Sequence, residues 1–301
     1  MAMRKHPVIF GISLTLLIGA LFLILLYGLN SATGNVASFS KANKIGVVTI
    51  SGIISSSQEV VEQLDEFEND DNIKAVVVRI DSPGGGVAPA QEIYTAIKGF
   101  KKHKKIVASL GSIAASGGYM IACAADRIVA NPGTITGSIS AIMYFANAED
   151  LLKKIGLKSS VIKSGRYKDI GSPVREMTYD ERKILQALVD DVYDQFLDMI
   201  TQDRKIPKEE IKKIADGRVF SGRQAKMLKL IDDLGDKGYA VRLAGKMAGI
   251  KGTPALVYPK KKSITFWDYI LQNAASNIAG AIKEKFVVTP QGVNFLYEYG
   301  T

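Results

Sequence analysis

Apolar and polar positions divide the chain into zones of different character. Val8 to Leu29 is an uncharged apolar run. At about 1.5 Å per residue a helix of that length spans a ~30 Å hydrocarbon core. Residues 30–43 are polar and small, as in a linker. From Lys44 onward, short β-branched runs alternate with segments of helical periodicity. Lys44–Ile50 and Lys74–Ile80 read as strands, the second of the buried type around Ala75-Val-Val-Val78. Glu59–Phe67 and Ala88–Phe100 read as helices, the latter with Ile93, Ile97 and Phe100 at helical spacing. Ile106–Leu110 predicts a strand and Ala114–Ala125 a helix. Arg127–Ala130 predicts a short strand, ended by the turn Asn131-Pro-Gly133. Strands alternating with helices of roughly 10–15 residues indicate parallel β-α-β units. Ligands sit at the carboxyl ends of such strands. Both glycine-rich segments, Pro83–Gly86 and Ser116–Gly118, fall there.

The second half is more helical. A short helix over Leu151–Ile155 precedes a strand predicted over Lys158–Lys163 and an irregular loop over Ser164–Pro173. Thr178-Tyr-Asp-Glu181 is a capping box opening a long amphipathic helix. Leu185, Leu188, Val189, Val192, Phe196 and Ile200 share one of its faces. Further helices are expected over Lys208–Ala215, Ser221–Leu230 and Tyr239–Ala248. Trp267–Phe286 is amphipathic, and an irregular apolar tail follows to Thr301.

Charge refines this picture. Arg4 and Lys5 precede the first apolar run, and no lysine or arginine follows it until Lys41. The positive-inside rule then puts residues 1–7 in the cytoplasm, 8–29 across the membrane and the body outside. A cleaved signal peptide is the alternative, but its apolar region runs only ~7–15 residues. The net charge of +9 is spread over helix faces among many acids. No aromatic-interleaved basic patch suggests nucleic acid, and a positive body beside an anionic membrane is the simpler reading. Cys123 is the only cysteine, so no internal disulfide forms and no zinc site is expected. It lies on an apolar helix face, Tyr119–Ala125, where core packing is its expected role.

The segment Gly111-Ser-Ile-Ala-Ala-Ser-Gly-Gly-Tyr119 places Ser116 among small residues directly after an apolar strand. Small neighbours allow close backbone approach, and this setting suits a nucleophile at a strand-to-helix turn. The two histidines do not suit a buried base: His6 precedes the apolar run and His103 sits in a charge run. A lysine base is the remaining option. It must be neutral, at a value of roughly 7–8 rather than ~10.4, which takes desolvation or a neighbouring cation. Lys168, in a loop beside Gly165 and Tyr167 and ahead of Ser172-Pro173, is the candidate; the alternative is a solvated loop residue. The glycines of Pro83–Gly86 fit a tight strand-to-helix turn or a phosphate-binding turn. The dinucleotide pattern is absent, since Val87-Ala-Pro89 follows.

Four segments in register resemble the signal peptide peptidase A family of membrane-anchored serine proteases. They are Asp81-Ser-Pro-Gly-Gly-Gly86, Gly111–Tyr119, Thr134-Ile-Thr-Gly-Ser138 and Lys163-Ser-Gly-Arg-Tyr-Lys-Asp169. The resemblance covers about residues 8–250. It implies an α/β fold of the Clp protease/crotonase-like kind, built from repeated β-β-α units. An N-terminal transmembrane helix and additional C-terminal helices would complete it. The serine protease domain would span 44–260, with 261–301 as an amphipathic helix and tail. By the resemblance Ser116 is the nucleophile and Lys168 the general base. Ser138 orients the lysine, and the amides of Gly85 and Gly117 form the oxyanion hole. No cofactor and no metal are implied. The substrates would be apolar peptides such as remnant signal peptides. Half-length relatives assemble as rings in which serine and lysine come from neighbouring protomers. Asp81 departs from the pattern, since relatives often carry Asn there. Competing readings are a stomatin-type membrane protease, a crotonase-like acyl-CoA enzyme and a non-catalytic membrane scaffold.

Overall fold

The run Ala75-Val-Val-Val-Arg-Ile80 is apolar at every position but Arg79 because helices cover both faces of the strand that contains it. In the computed structural model, which describes residues 14–22, 25, 43–259 and 294–296, this strand is β2 (Ile73–Ser82). It pairs in parallel with β1 (Lys44–Ser51) on one side and β4 (Lys105–Ala115) on the other. Successive side chains point to opposite faces. Ala75 and Val77 therefore join Ile45, Val107 and Val129 under α9 (Lys237–Met247), through its Ala240 and Ala244. Val76, Val78 and Ile80 join the larger core with Ile93, Ile97 and Phe100 of α3 (Val87–Phe100). Val60, Leu64 and Phe67 of α2 (Gln58–Asn69) extend that core.

The main sheet has eight strands, in the order β7-β6-β4-β2-β1-β9, with β5 and β8 on a branch from β4. β5 (Arg127–Ala130) and β6 (Ile135–Gly137) share one edge of β4. The former pairs with Val107–Leu110 and the latter with Ile113–Ala115. β8 (Asp233–Leu234) and β9 (Ala255–Val257) also run parallel to their neighbours, whereas β7 (Val219–Ser221) is antiparallel to β6. A separate pair joins β3 (Gly84–Gly86) to β10 (Asn294–Leu296) in antiparallel register.

Two expectations are corrected. β4 does not stop at Leu110 but continues to Ala115, and the next helix, α4, starts only at Gly117 (Gly117–Cys123). The register slips by two extra residues between Ile80–Leu110 and Ser82–Ala114, and the Asp81 carboxylate accepts the Ile113 amide at 3.1 Å inside the resulting bulge. Lys158–Lys163 forms no strand. It pairs with no strand among the described residues, and Val161 and Ile162 are exposed; β-propensity without a partner strand does not make a sheet.

The long helix is α6 (Tyr179–Arg204), and its capping box is formed as expected. Val192, Phe196 and Ile200 are buried, whereas Leu188 and Ile184 near its start are exposed. The smaller helices are α5 (Glu149–Lys154), α7 (Lys208–Lys212) and α8 (Gly222–Met227). Residues 1–42 group apart from 43–301. Residues 14–22 are helical (α1) and expose Leu16, Leu17, Leu21 and Phe22. No helix among the described residues is long and apolar enough to cross a membrane. The rest of the expected 8–29 span, the linker to residue 42 and the helix expected over Trp267–Phe286 lie outside the described residues.

Candidate active site

Ser116 occupies the elbow between β4 and α4. Its backbone has φ 54° and ψ −121°, a left-handed conformation that a non-glycine residue adopts only at a cost of about 1–3 kcal/mol. The turn is held from both sides: the Ser116 amide donates to the Gly137 carbonyl at 2.8 Å, and its carbonyl accepts the Met120 amide at 2.9 Å. Small residues make the elbow sterically feasible. A Cβ on Gly118 would stand 3.0 Å from the Ser82 carbonyl oxygen, a tight contact that glycine avoids where α4 seats on β2. Tyr119, Met120, Ile121 and Cys123 are buried behind it, and the Tyr119 hydroxyl donates to the Leu230 carbonyl at 2.8 Å. Burial pushes the Cys123 thiol up to about 12, in keeping with a packing role.

The Ser116 side chain is buried, and its Oγ has no hydrogen-bond partner among the described residues. Buried hydroxyls are normally paired, and leaving one unpaired costs about 1–3 kcal/mol. The first residue of α4, Gly117, follows directly, and an amide in the first turn of a helix has no partner within that helix.

The second glycine segment stands opposite, since β3 packs against α4. Gly84 and Gly86 bond to Ile54, the first through its carbonyl at 2.9 Å and the second through its amide at 2.8 Å. Alternation along the strand turns the Gly85 amide to the other edge, where β10 lies with Phe295 opposite Gly85. A Cβ on Gly85 would come 2.6 Å from the Ile54 amide nitrogen and closer still to its carbonyl oxygen. Ser82 Oγ accepts the Gly84 amide at 3.1 Å, the turn role expected for that serine.

Ser138 is buried and also left-handed, with φ 50°. It follows Gly137, the residue that holds the Ser116 amide, and its own amide donates to the Arg218 carbonyl at 2.9 Å. The structure therefore gathers Ser116, Gly117, Gly85 and Ser138 at the ends of β3, β4 and β6.

Lys168 is placed differently. It lies in a run of tight turns, its amide donating to the Gly165 carbonyl at 3.1 Å, and its side chain is exposed with no hydrogen bond or ion pair among the described residues. Within one chain the serine hydroxyl and the lysine amine make no hydrogen bond. The loop itself is tied down by charges that the sequence reading did not single out. Arg175 Nε donates to Asp169 Oδ2 at 2.9 Å and Nη2 to the Asp169 carbonyl at 3.2 Å. Its fork also grips Glu181, with Nη1 on Oε2 at 2.8 Å and Nη2 on Oε1 at 2.5 Å. Lys163 pairs with the other Asp169 oxygen. Hydrogen bonds from Arg175 and then Lys163 hold the Asp169 carboxyl well below the usual carboxylate range. Arg175 and then the Thr178 amide lower that of Glu181 to about 2. In the sequence, the capping box marks Glu181 and the segment Lys163–Asp169 contains two more members of the cluster, but nothing marks Arg175. His103 pairs with Glu68 at the surface, away from any such role.

Comparison with known proteins adds the following. The sequence profile described as Peptidase family S49 matches residues 98–251, and that described as Clp protease matches residues 32–135. The chain is 42% identical to "Putative protease slr0021" of Synechocystis sp. over 79% of its own length and 89% of that protein. It is 31% identical to "Serine protease SPPA, chloroplastic" of Arabidopsis thaliana over 68% of its length but only 30% of that relative. Among solved structures, a ClpP1 mutant from Listeria monocytogenes matches with a TM-score of 0.45 and 19% identity, covering 64% of this chain and 91% of that one.

Proposed function

The chain belongs to peptidase family S49 and is a serine-type protease with a Clp protease-like α/β fold, and we propose that it is a membrane-anchored serine–lysine endopeptidase cleaving apolar peptides such as remnant signal peptides. The observation that carries this reading is the state of Ser116: a strained elbow presents a buried hydroxyl that nothing among the described residues satisfies. Structures keep such strain where a group is held ready for chemistry.

In this reading the Ser116 hydroxyl attacks the scissile carbonyl carbon while Lys168, as a neutral amine, takes its proton. The amides of Gly85 and Gly117 donate to the developing oxyanion. Collapse breaks the C–N bond, the leaving amine takes the proton from the lysine, and water hydrolyses the acyl-enzyme by the same steps. Ser138 orients the lysine amine. The peptide lies as an extended strand along the edge of β3 that β10 takes in this structure, an edge-addition mode of binding. Lys168 is supplied by a neighbouring protomer. Its exposure in its own chain supports this, because a lysine base must be desolvated, and so do the exposed apolar side chains of Ile162 and Leu188. Residues 8–29 anchor the body outside the cytoplasm, as the apolar run and the charge asymmetry around it suggest.

A fluorophosphonate probe tests the chemistry. It should label the wild-type chain and not Ser116→Ala, and the same substitution should abolish cleavage of an apolar fluorogenic peptide. Labelling of Ser116→Ala at the wild-type rate would exclude Ser116 as the nucleophile.

A further inference from the structure

We infer that Arg175 is a positioning residue for the lysine of the active site, an inference that rests on the reading of Lys168 as the general base. The Lys168 side chain is exposed and makes no hydrogen bond or ion pair among the described residues, so its direction is set chiefly by the backbone on either side of it. On the amino-terminal side there is one turn bond, from the Lys168 amide to the Gly165 carbonyl. On the carboxyl-terminal side Arg175 holds Asp169 twice, through the carboxylate and through the main-chain carbonyl. The peptide plane that follows Lys168 begins at its own carbonyl carbon and ends at Asp169. Gripping Asp169 by side chain and main chain therefore restricts rotation at the lysine itself.

The other end of the clamp is rigid. Glu181 is buried at the first turn of α6 and is fixed there by the Thr178 amide at 2.9 Å. Its two oxygens take the guanidinium fork as a parallel pair, which lysine cannot reproduce. The Arg175 Nη1 also donates to the Glu176 carbonyl at 3.0 Å, so every nitrogen of the guanidinium is used. The clamp thus runs from a helix terminus, through a planar cation, to the neighbour of the base. A catalytic group must be held within roughly 10–20° and 0.5 Å of its working geometry, and a flexible loop of turns does not meet that tolerance unaided.

The test uses the full chain and four proteins: Arg175→Ala, Arg175→Lys, Lys168→Ala and the Arg175→Ala/Lys168→Ala double variant. With an apolar fluorogenic peptide, Arg175→Ala should lower kcat by about 10–100-fold, the range expected for a misplacement near 1 Å, with KM within about twofold of wild type. Added guanidinium should restore part of that kcat. Arg175→Lys, which keeps the charge but loses the fork, should fall between the two and serves as the readout if Arg175→Ala proves unstable in thermal unfolding. In the Lys168→Ala background, removing Arg175 should leave the residual rate within about twofold, because the group it positions is gone. Wild-type kcat in both Arg175 variants would overturn the inference. So would an equal loss with and without Lys168. If Lys168→Ala alone keeps wild-type turnover, the lysine reading falls instead, whatever Arg175 does.

Discussion

Ser116 and Gly137 are joined by a 2.8 Å hydrogen bond from amide to carbonyl, which places the left-handed Ser138 one residue beyond the contact that holds the left-handed Ser116. The two serines are thus coupled through the β4–β6 ladder rather than through side chains. Both lie where parallel strands end, and the irregular backbone at each is imposed by that ladder.

Ser116→Ala should be inactive and also more stable. The substitution removes a buried hydroxyl that has no partner among the described residues, whose burial costs about 1–3 kcal/mol, while alanine leaves the strained φ unchanged. We expect unfolding free energy to rise by about 1 kcal/mol. Denaturant melts of the two proteins check this; a Ser116→Ala chain less stable than wild type would mean that the hydroxyl is satisfied.

Gly85→Ala should lose more than about 100-fold in peptide hydrolysis, the scale of one oxyanion donor. The added Cβ meets the Ile54 backbone, which has no rotamer to escape into, so β3 must shift and carry the Gly85 amide with it. Gly99→Ala in α3 is the matched control: nothing lies within 4 Å of its Cβ, and it should retain activity and gain about 0.5 kcal/mol. Comparable activity in the two variants would remove Gly85 from the site.

Much of this was legible in the sequence for a simple reason. Strands buried on both faces and helices with one apolar face leave periodic signals, as in Ala75–Ile80 and in Ile93, Ile97 and Phe100. Ser116 and Gly85 were legible because close backbone approach admits only small residues, and Gly118 and Gly85 show the contacts that enforce it. The end of β4 was not. Gly111 reads as a terminator, yet the Asp81 carboxylate fills the bulge and lets the strand resume. The link that Arg175 makes between Asp169 and Glu181 left no pattern, since it joins residues six apart across an irregular loop, where no period connects them. Lys168 was picked out by its motif, but its exposure in the single chain follows from the placement of that loop.

A chain ending at Gly292 should cleave short peptides faster than the full chain. Asn294–Leu296 pairs with Gly84–Gly86, the edge assigned to substrate, and a tethered occupant competes at an effective concentration in the millimolar range. An increase of about tenfold in kcat/KM is expected. Unchanged kinetics would show that the tail does not compete with substrate at this edge.

The Arg175 clamp should give stability that depends on acid pH. The Glu181 carboxyl is lowered from 4.5 to about 2, and that of Asp169 shifts in the same direction. A carboxylate depressed on folding stabilises the native state fully above its unfolded value, and that contribution is lost as pH falls through its folded value. Glu181→Gln retains the capping-box geometry, because glutamine also serves at that position, and removes only the charge. Its Tm should lie below that of wild type at neutral pH, and the gap should close between pH 4.5 and about 2. A gap that stays constant down to pH 2 would mean that the charge contributes nothing.

Mixing two dead chains should restore activity if the site is shared between protomers. Ser116 is buried at its elbow with its hydroxyl unpaired, and Lys168 is exposed on its own chain with its amine unpaired among the described residues. A head-to-tail ring satisfies both at once, since each interface brings the lysine loop of one copy to the serine of the next. In oligomers reassembled from equal amounts of Ser116→Ala and Lys168→Ala chains, roughly a quarter of the interfaces join an intact serine to an intact lysine. About that fraction of wild-type turnover should return, and it should disappear when the doubly substituted chain replaces either partner. The measurement is peptide hydrolysis after denaturation and joint refolding, with wild-type protein taken through the same steps. If the mixture stays inactive while wild type recovers, serine and lysine meet within one chain, and the lysine loop must then move from the position it has here.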